Sequence, residues 1–149
     1  MSSTLQPLPP IDVRLRLSAL WATTMIIVAF VDIFGLYRAD LREQIEAGRV
    51  FVFEVGQPFM LGIVLYVTVP TLMIVASVFL PWRANRLLNV IVAALFAITI
   101  VGAAIGEWGY YLVASGVEVG LLATIVVLAT RWRLTLRSSN QSQRTPATR

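Results

Sequence analysis

Four apolar runs limit what this chain can become. Residues 15–37, 59–80, 87–105 and 109–131 are each about 20 residues long, and a helix of that length, rising about 1.5 Å per residue, crosses the roughly 30 Å hydrocarbon layer of a bilayer. With 58% hydrophobic and 13% charged residues in a chain of 149, these blocks are too long for the core of a soluble domain. Lipid offers no partner to a free backbone amide, so each run has to satisfy its own hydrogen bonds as a helix. The fold class expected is all-α, a four-helix transmembrane bundle forming a single domain over residues 1–137. Residues 138–149 form a polar tail expected to be disordered.

The connections are as informative as the runs. Met1 to Pro10 is a polar, Pro-rich lead-in expected to be disordered. Asp12 then stands where it can cap a first helix opened by Arg14 and Arg16. A cleaved signal peptide is the competing reading, disfavoured because the run is too long and its end, GLYRAD, has no small-x-small cleavage site. The one long connection, Arg38 to Pro58, contains DLREQIEAGR, a short interfacial helix over about 40–47 closed by Gly48. VFVFEVG follows, either as a short extended segment or as a lid over the bundle mouth.

Pro70 at the middle of the second run deletes a backbone hydrogen bond and frees the carbonyl of Tyr66. Thr68 and Thr71 are candidates to compensate, and the resulting kink is either static or a hinge. Trp82 to Arg86 reads as a tight basic turn, with Asn89 just beyond it suited to a bond across to another helix or a cap. Gly106 to Gly109 reverses the chain so sharply that the last two helices must be antiparallel. Small residues at Gly102 and Gly106, and again at Gly116 and Gly120, are candidate helix-packing positions where backbones can approach closely.

Charge placement sets the expected orientation. All 12 basic residues are Arg. Arg14, Arg16, Arg83, Arg86, Arg131, Arg133 and Arg137 fall on one side of a four-span arrangement, while Arg38, Arg42 and Arg49 on the other are diluted by Asp40, Glu43, Glu46 and Glu54. Both termini are therefore expected on the cytoplasmic side of the cell's inner membrane. The high pI does not point to nucleic acid, because the arginines mark the ends of apolar runs and form no stripe with aromatics. No Cys and no His occurs, which removes disulfides, thiolate chemistry and the commonest metal ligand and proton relay. No metal site, cofactor or catalytic motif is expected, and enzyme activity ranks last.

The residue that demands a reason is Glu118, near the centre of the last apolar run. Ten Leu, Ile and Val residues between Tyr110 and Thr130 favour insertion by about 3–6 kcal/mol, against roughly 2.5–3.5 for one central acid. Insertion survives. Ser115 and Tyr111 lie on the same helix face. Asp32 near the end of the first run, together with Glu54, Glu107 and Tyr37, belongs to the same outer half. These seven residues are the candidate binding site, an acidic, tyrosine-lined cavity suited to a cation or to proton exchange. The plainer alternative is a protonated Glu118 that only donates a hydrogen bond between helices or across an oligomer interface.

IDVRLRLSALW at the first helix, DIFGLY at Asp32 to Tyr37, FEV at Phe53 to Val55, LPWRANRLLN, and GEWGYY followed by VEV around Glu118 are similar to a family of small four-span bacterial membrane proteins of unknown function. That resemblance covers most of the chain up to about Trp132 and implies a fold and a membrane location without an activity. Small multidrug exporters are a more distant likeness, since they carry their membrane acid in the first helix and not the fourth; small quinol-oxidase-associated subunits resemble the chain only in architecture. The function expected is proton- or cation-linked transport or small-molecule binding. The alternative is a non-catalytic accessory or assembly subunit of a larger membrane complex. Expected partners are the lipid bilayer and either a second copy or such a complex.

Overall fold

The computed structural model describes residues 11–142, with side chains described as far as Trp132. The lead-in up to Pro10 and the last part of the tail, 143–149, lie outside the described residues. Five helices and one small hairpin follow in order: α1 (Val13–Gly35), α2 (Ala39–Glu46), β1 (Arg49–Val50), β2 (Phe53–Glu54), α3 (Gln57–Phe79), α4 (Trp82–Ala103) and α5 (Gly109–Ser142). Four of them, α1, α3, α4 and α5 up to Trp132, are long and apolar enough to cross a membrane.

Local chemistry explains most boundaries. The Asp12 carboxylate accepts the Arg14 backbone N–H at 2.9 Å and starts α1, as expected. Gly48, at φ 73°, closes the turn after α2, and Gly106, at φ 81°, makes the reversal between α4 and α5; this left-handed region favours glycine. Pro58 sits in the first turn of α3, where its missing N–H breaks no bond. VFVFEVG takes the extended form: β1 and β2 pair antiparallel, Val50 opposite Phe53, leaving the exposed Phe51 and Val52 as the turn.

Two boundaries differ from expectation. The helix α4 begins at Trp82, not near Leu87, so the basic turn is absorbed into the helix and only Leu80 and Pro81 link α3 to α4. Pro81 ends one helix and its fixed φ suits the start of the next, and nothing in Trp82 to Arg86 opposes helix. At the other extreme α5 continues past residue 137 to Ser142, because no Pro or Gly interrupts the polar stretch before that point. Pro70 leaves α3 unbroken, but Thr68 and Thr71 donate to the carbonyls of Val64 and Val67, at 2.7 and 2.8 Å, and not to that of Tyr66.

Each long helix packs on two others: α1 on α3 and α5, and α4 on α5 and α3. Leu17, Trp21, Met73, Ala93, Phe96, Leu122 and Ile125 fill the space between them. Chain direction gives the assembly two ends, one carrying the start of α1, the α3–α4 link and the far part of α5, here called the terminal end, and the other carrying α2.

The terminal half is tied by two buried amides: Asn89, which makes the bond across to another helix that its position suggested, and Asn85, which sequence reading passed over. Trp21 Nε1–H donates to Asn89 Oδ1 at 2.7 Å, and the Ser77 hydroxyl donates to the same oxygen at 3.3 Å. Asn89 Nδ2 donates in turn to the backbone and side-chain oxygens of Asn85, at 2.8 and 2.6 Å, while Asn85 Nδ2 reaches the Ser77 carbonyl at 2.6 Å. One network thus joins α1, α3 and α4. Lengthening α4 by five residues is what puts Asn85 on a helix, one turn before Asn89 and on the same buried face.

The glycine expectation fails within the chain. A Cβ added at Gly102, Gly106, Gly116 or Gly120 would meet nothing within 4 Å. On α5 it is the face carrying Glu118 that turns inward, and the glycine face turns outward. The close approach occurs instead at Gly35, where a Cβ would lie 3.1 Å from Leu41 Cδ2.

Candidate functional site

Glu118 lies nine residues into α5, about 14 Å along a helix. Its residue is 4% exposed, and Oε1 has no hydrogen-bond partner among the described residues. Buried polar atoms are seldom left this way, because each costs about 1–3 kcal/mol when unmatched. Ser115, one turn away on the same face, is buried at 6% exposure, and Tyr111, two turns away, is half-buried.

Two further helices bring groups to the same region. Asp32 on α1 is near enough for its charge to act on Glu118, Tyr111 and Tyr66, and it remains accessible from outside the isolated chain. Tyr66 on α3, not among the residues singled out from sequence, donates its hydroxyl to Thr99 Oγ1 on α4 at 2.7 Å. The direction follows because Thr99 spends its own proton on the Phe96 carbonyl, 2.7 Å away. That leaves the Tyr66 oxygen with acceptor capacity. Its ring lies 4.9 Å from that of Phe96, which fixes it against α4. The one sequence signal for Tyr66 was its place four residues before Pro70, on the same helix face.

Three expected members are elsewhere. Tyr37 is 79% exposed beyond the end of α1, and Glu54 is exposed on β2. Glu107 is taken by Arg38: Nη1 donates to Glu107 Oε2, while Nε and Nη2 donate to the two carboxylate oxygens of Asp40 at 3.2 and 2.6 Å. The guanidinium also stacks 4.7 Å above the Trp108 ring. Hydrogen bonding to Asp40 first, and then to Glu107, pushes the Arg38 guanidinium further up from its already high value, and the same Arg38 contact holds the Asp40 carboxyl below the usual range. A clasp of α2, the end of the α1–α2 link and the α4–α5 turn therefore closes the α2 end. Orientation charge counts treated Arg38 as a surface charge, whereas its side chain is only 14% exposed and that of Glu107 only 8%.

The arrangement is thus a central carboxylate without a partner, a second acid and two phenols within its field, and a separate ion-pair clasp at the nearer end. A family profile described as "Family of unknown function (DUF6326)" matches residues 12–139. The chain belongs to this family. No curated protein and no solved structure matches it. With four helices able to cross a bilayer, this DUF6326 protein is a multi-pass membrane protein. Both Glu118 and Asp32 lie inside the matched region, as do Arg38, Glu107 and the Asn85–Asn89 pair.

Proposed function

We propose that Glu118 and Asp32, with Tyr66 and Tyr111, form a site for a proton or a cation, used in proton- or cation-linked movement or in binding a positively charged small molecule. The observation that carries this reading is the orphaned Glu118 Oε1, the one buried side-chain nitrogen or oxygen among the described residues without a hydrogen-bond partner. An acid that served only to join helices would spend both oxygens on neighbours, as Asn89 spends its amide. A guest with a positive charge or a hydrogen-bond donor would supply the missing partner and lower the cost of the charge. Both termini on the cytoplasmic side, as the arginine distribution suggests, would make the α2 end the outer entrance.

The test is proton flux into liposomes carrying the purified protein and loaded with pyranine, driven by a potassium diffusion potential. Protein-bearing vesicles should acidify faster than empty ones, and Glu118→Gln should return them to the empty rate while melting at or above the wild-type temperature. A folded Glu118→Gln protein with undiminished flux overturns the reading.

A second reading has one specific observation in its favour. Gly116 and Gly120 leave an open strip one turn apart on the outward face of α5, which would admit the backbone of another helix, from a second copy or from a larger complex to which this chain is accessory. Wild-type vesicles without flux, combined with purification that always brings down the same membrane partner, would favour it.

A further inference from the structure

The terminal end carries a different feature, unrelated to the acids. A groove of about 400 Å³ runs between α4 and α5, lined by Trp82, Arg83, Arg86, Leu87, Val90 and Thr130. That size is within the usual range for a small-molecule site, and its lining is divided by depth. Arg83 and Arg86 stand at the mouth, one turn apart in the opening turns of α4, and Arg83 stacks 5.5 Å over the Trp82 ring. Val90 lies seven residues beyond Arg83 and four beyond Arg86, roughly 10 and 6 Å deeper towards the bilayer interior.

Among the described residues neither arginine is matched by an acid, and the ion pairs are those of Arg38, at the opposite end. Arg14, the other cation described close to this end's core, is engaged differently, donating to the Val78 carbonyl at 3.3 Å and lying 5.7 Å from the Trp132 ring. Pro81, the residue before α4, has no side chain that can cap its start. A helix of this length presents partial positive charge there and favours an anion.

We infer that this groove binds an anionic phospholipid, its phosphodiester held between Arg83 and Arg86 and one acyl chain laid against Leu87 and Val90. Two features favour a lipid over a free phosphate. The floor is apolar below the arginines, so a free anion would leave most of the groove unused. The groove also lies between two helices long and apolar enough to cross a membrane, where lipid is the surrounding medium. Trp82 and the arginines then sit at headgroup depth, where aromatic and basic residues commonly mark the bilayer interface.

The test uses native mass spectrometry and thermal unfolding of the detergent-purified full chain, titrated with phosphatidylglycerol, phosphatidylcholine or inorganic phosphate. Phosphatidylglycerol should bind at a discrete stoichiometry and raise the melting temperature, with the other two much weaker. Arg83→Gln/Arg86→Gln should weaken phosphatidylglycerol binding roughly 30-fold, at about 1 kcal/mol per arginine. Val90→Phe, which fills the floor and keeps both charges, should also weaken it. Arg16→Gln/Arg42→Gln removes the same charge elsewhere and should leave binding within about threefold. Equal binding of phosphatidylcholine, equal stabilisation by phosphate alone, no effect of either groove variant, or equal loss in the Arg16/Arg42 control each overturns the assignment.

Discussion

Replacing Arg38 by Gln should cost more than replacing the acid it pairs with, and the reason is the unequal company the two keep. Arg38 has two carboxylates, Asp40 and Glu107, whereas Glu107 has an ion pair only with Arg38 among the described residues. Arg38→Gln therefore leaves Glu107 charged and unmatched with its side chain 8% exposed. Removing one partner of a fully buried pair costs about 3–5 kcal/mol. Because this pair stands at the end of the helices, where water can enter once the guanidinium is gone, about 2 kcal/mol is the expected loss. Glu107→Gln strands nothing, since Arg38 keeps its two bonds to Asp40; about 1 kcal/mol is expected, one charge-assisted hydrogen bond exchanged for a neutral one. The double variant should resemble Glu107→Gln, giving a coupling of about 2 kcal/mol. At roughly 2–4 °C per kcal/mol for a chain of this size, Arg38→Gln should melt about 4–8 °C below wild type and the double variant should recover about half of that. Unfolding in detergent followed by tryptophan emission is a suitable assay, because Trp108 lies directly under the guanidinium. Losses that are equal, reversed in order or additive would refute the idea that Glu107 is held in place by Arg38 alone.

Further outcomes follow from other parts of the molecule. Asn89→Leu keeps the volume but strands Trp21 Nε1, and should cost about 1–2 kcal/mol; in a Trp21→Phe background the cost should fall by about 0.6–1.7 kcal/mol, measured as a double-mutant cycle of melting curves. The Asp40 carboxyl, held low by Arg38, adds stability that is complete above its ordinary pKa of about 3.9 and is lost as pH falls through its lower folded value. Acid melting profiles should accordingly show Asp40→Asn converging on wild type below that range and falling short of it at neutral pH. Gly116→Leu should change the melting point by less than about 0.5 kcal/mol equivalent, since the added side chain meets open space. Size-exclusion chromatography with light scattering should show the same variant losing any dimer that the glycine strip supports.

What could be read from residues alone was the set of local decisions. Apolar length set the four helices, Asp12 the start of α1, Gly48 the end of α2 and Gly106 the reversal into α5, each acting within a few residues of itself. Glu118 was legible for the same reason: a carboxyl in a long apolar run is conspicuous wherever the helix is turned. Rotation of the helices about their own axes was not legible. In a soluble protein a polar face shows which side of a helix is outside, but these helices meet lipid on one side and each other on the other, and both media favour the same residues.

Only the packed structure therefore decided that the Gly116–Gly120 strip faces outward while Glu118 faces in, and that Tyr66 joins its surroundings. Long-range pairs were decided there too. Arg38 and Glu107 are 69 residues apart and Trp21 and Asn89 are 68, and neither pair leaves a periodic trace in the chain. A bilayer tells a chain where to be helical through local apolar length, but it does not say which side chains will meet, since that depends on how rigid rods settle against one another.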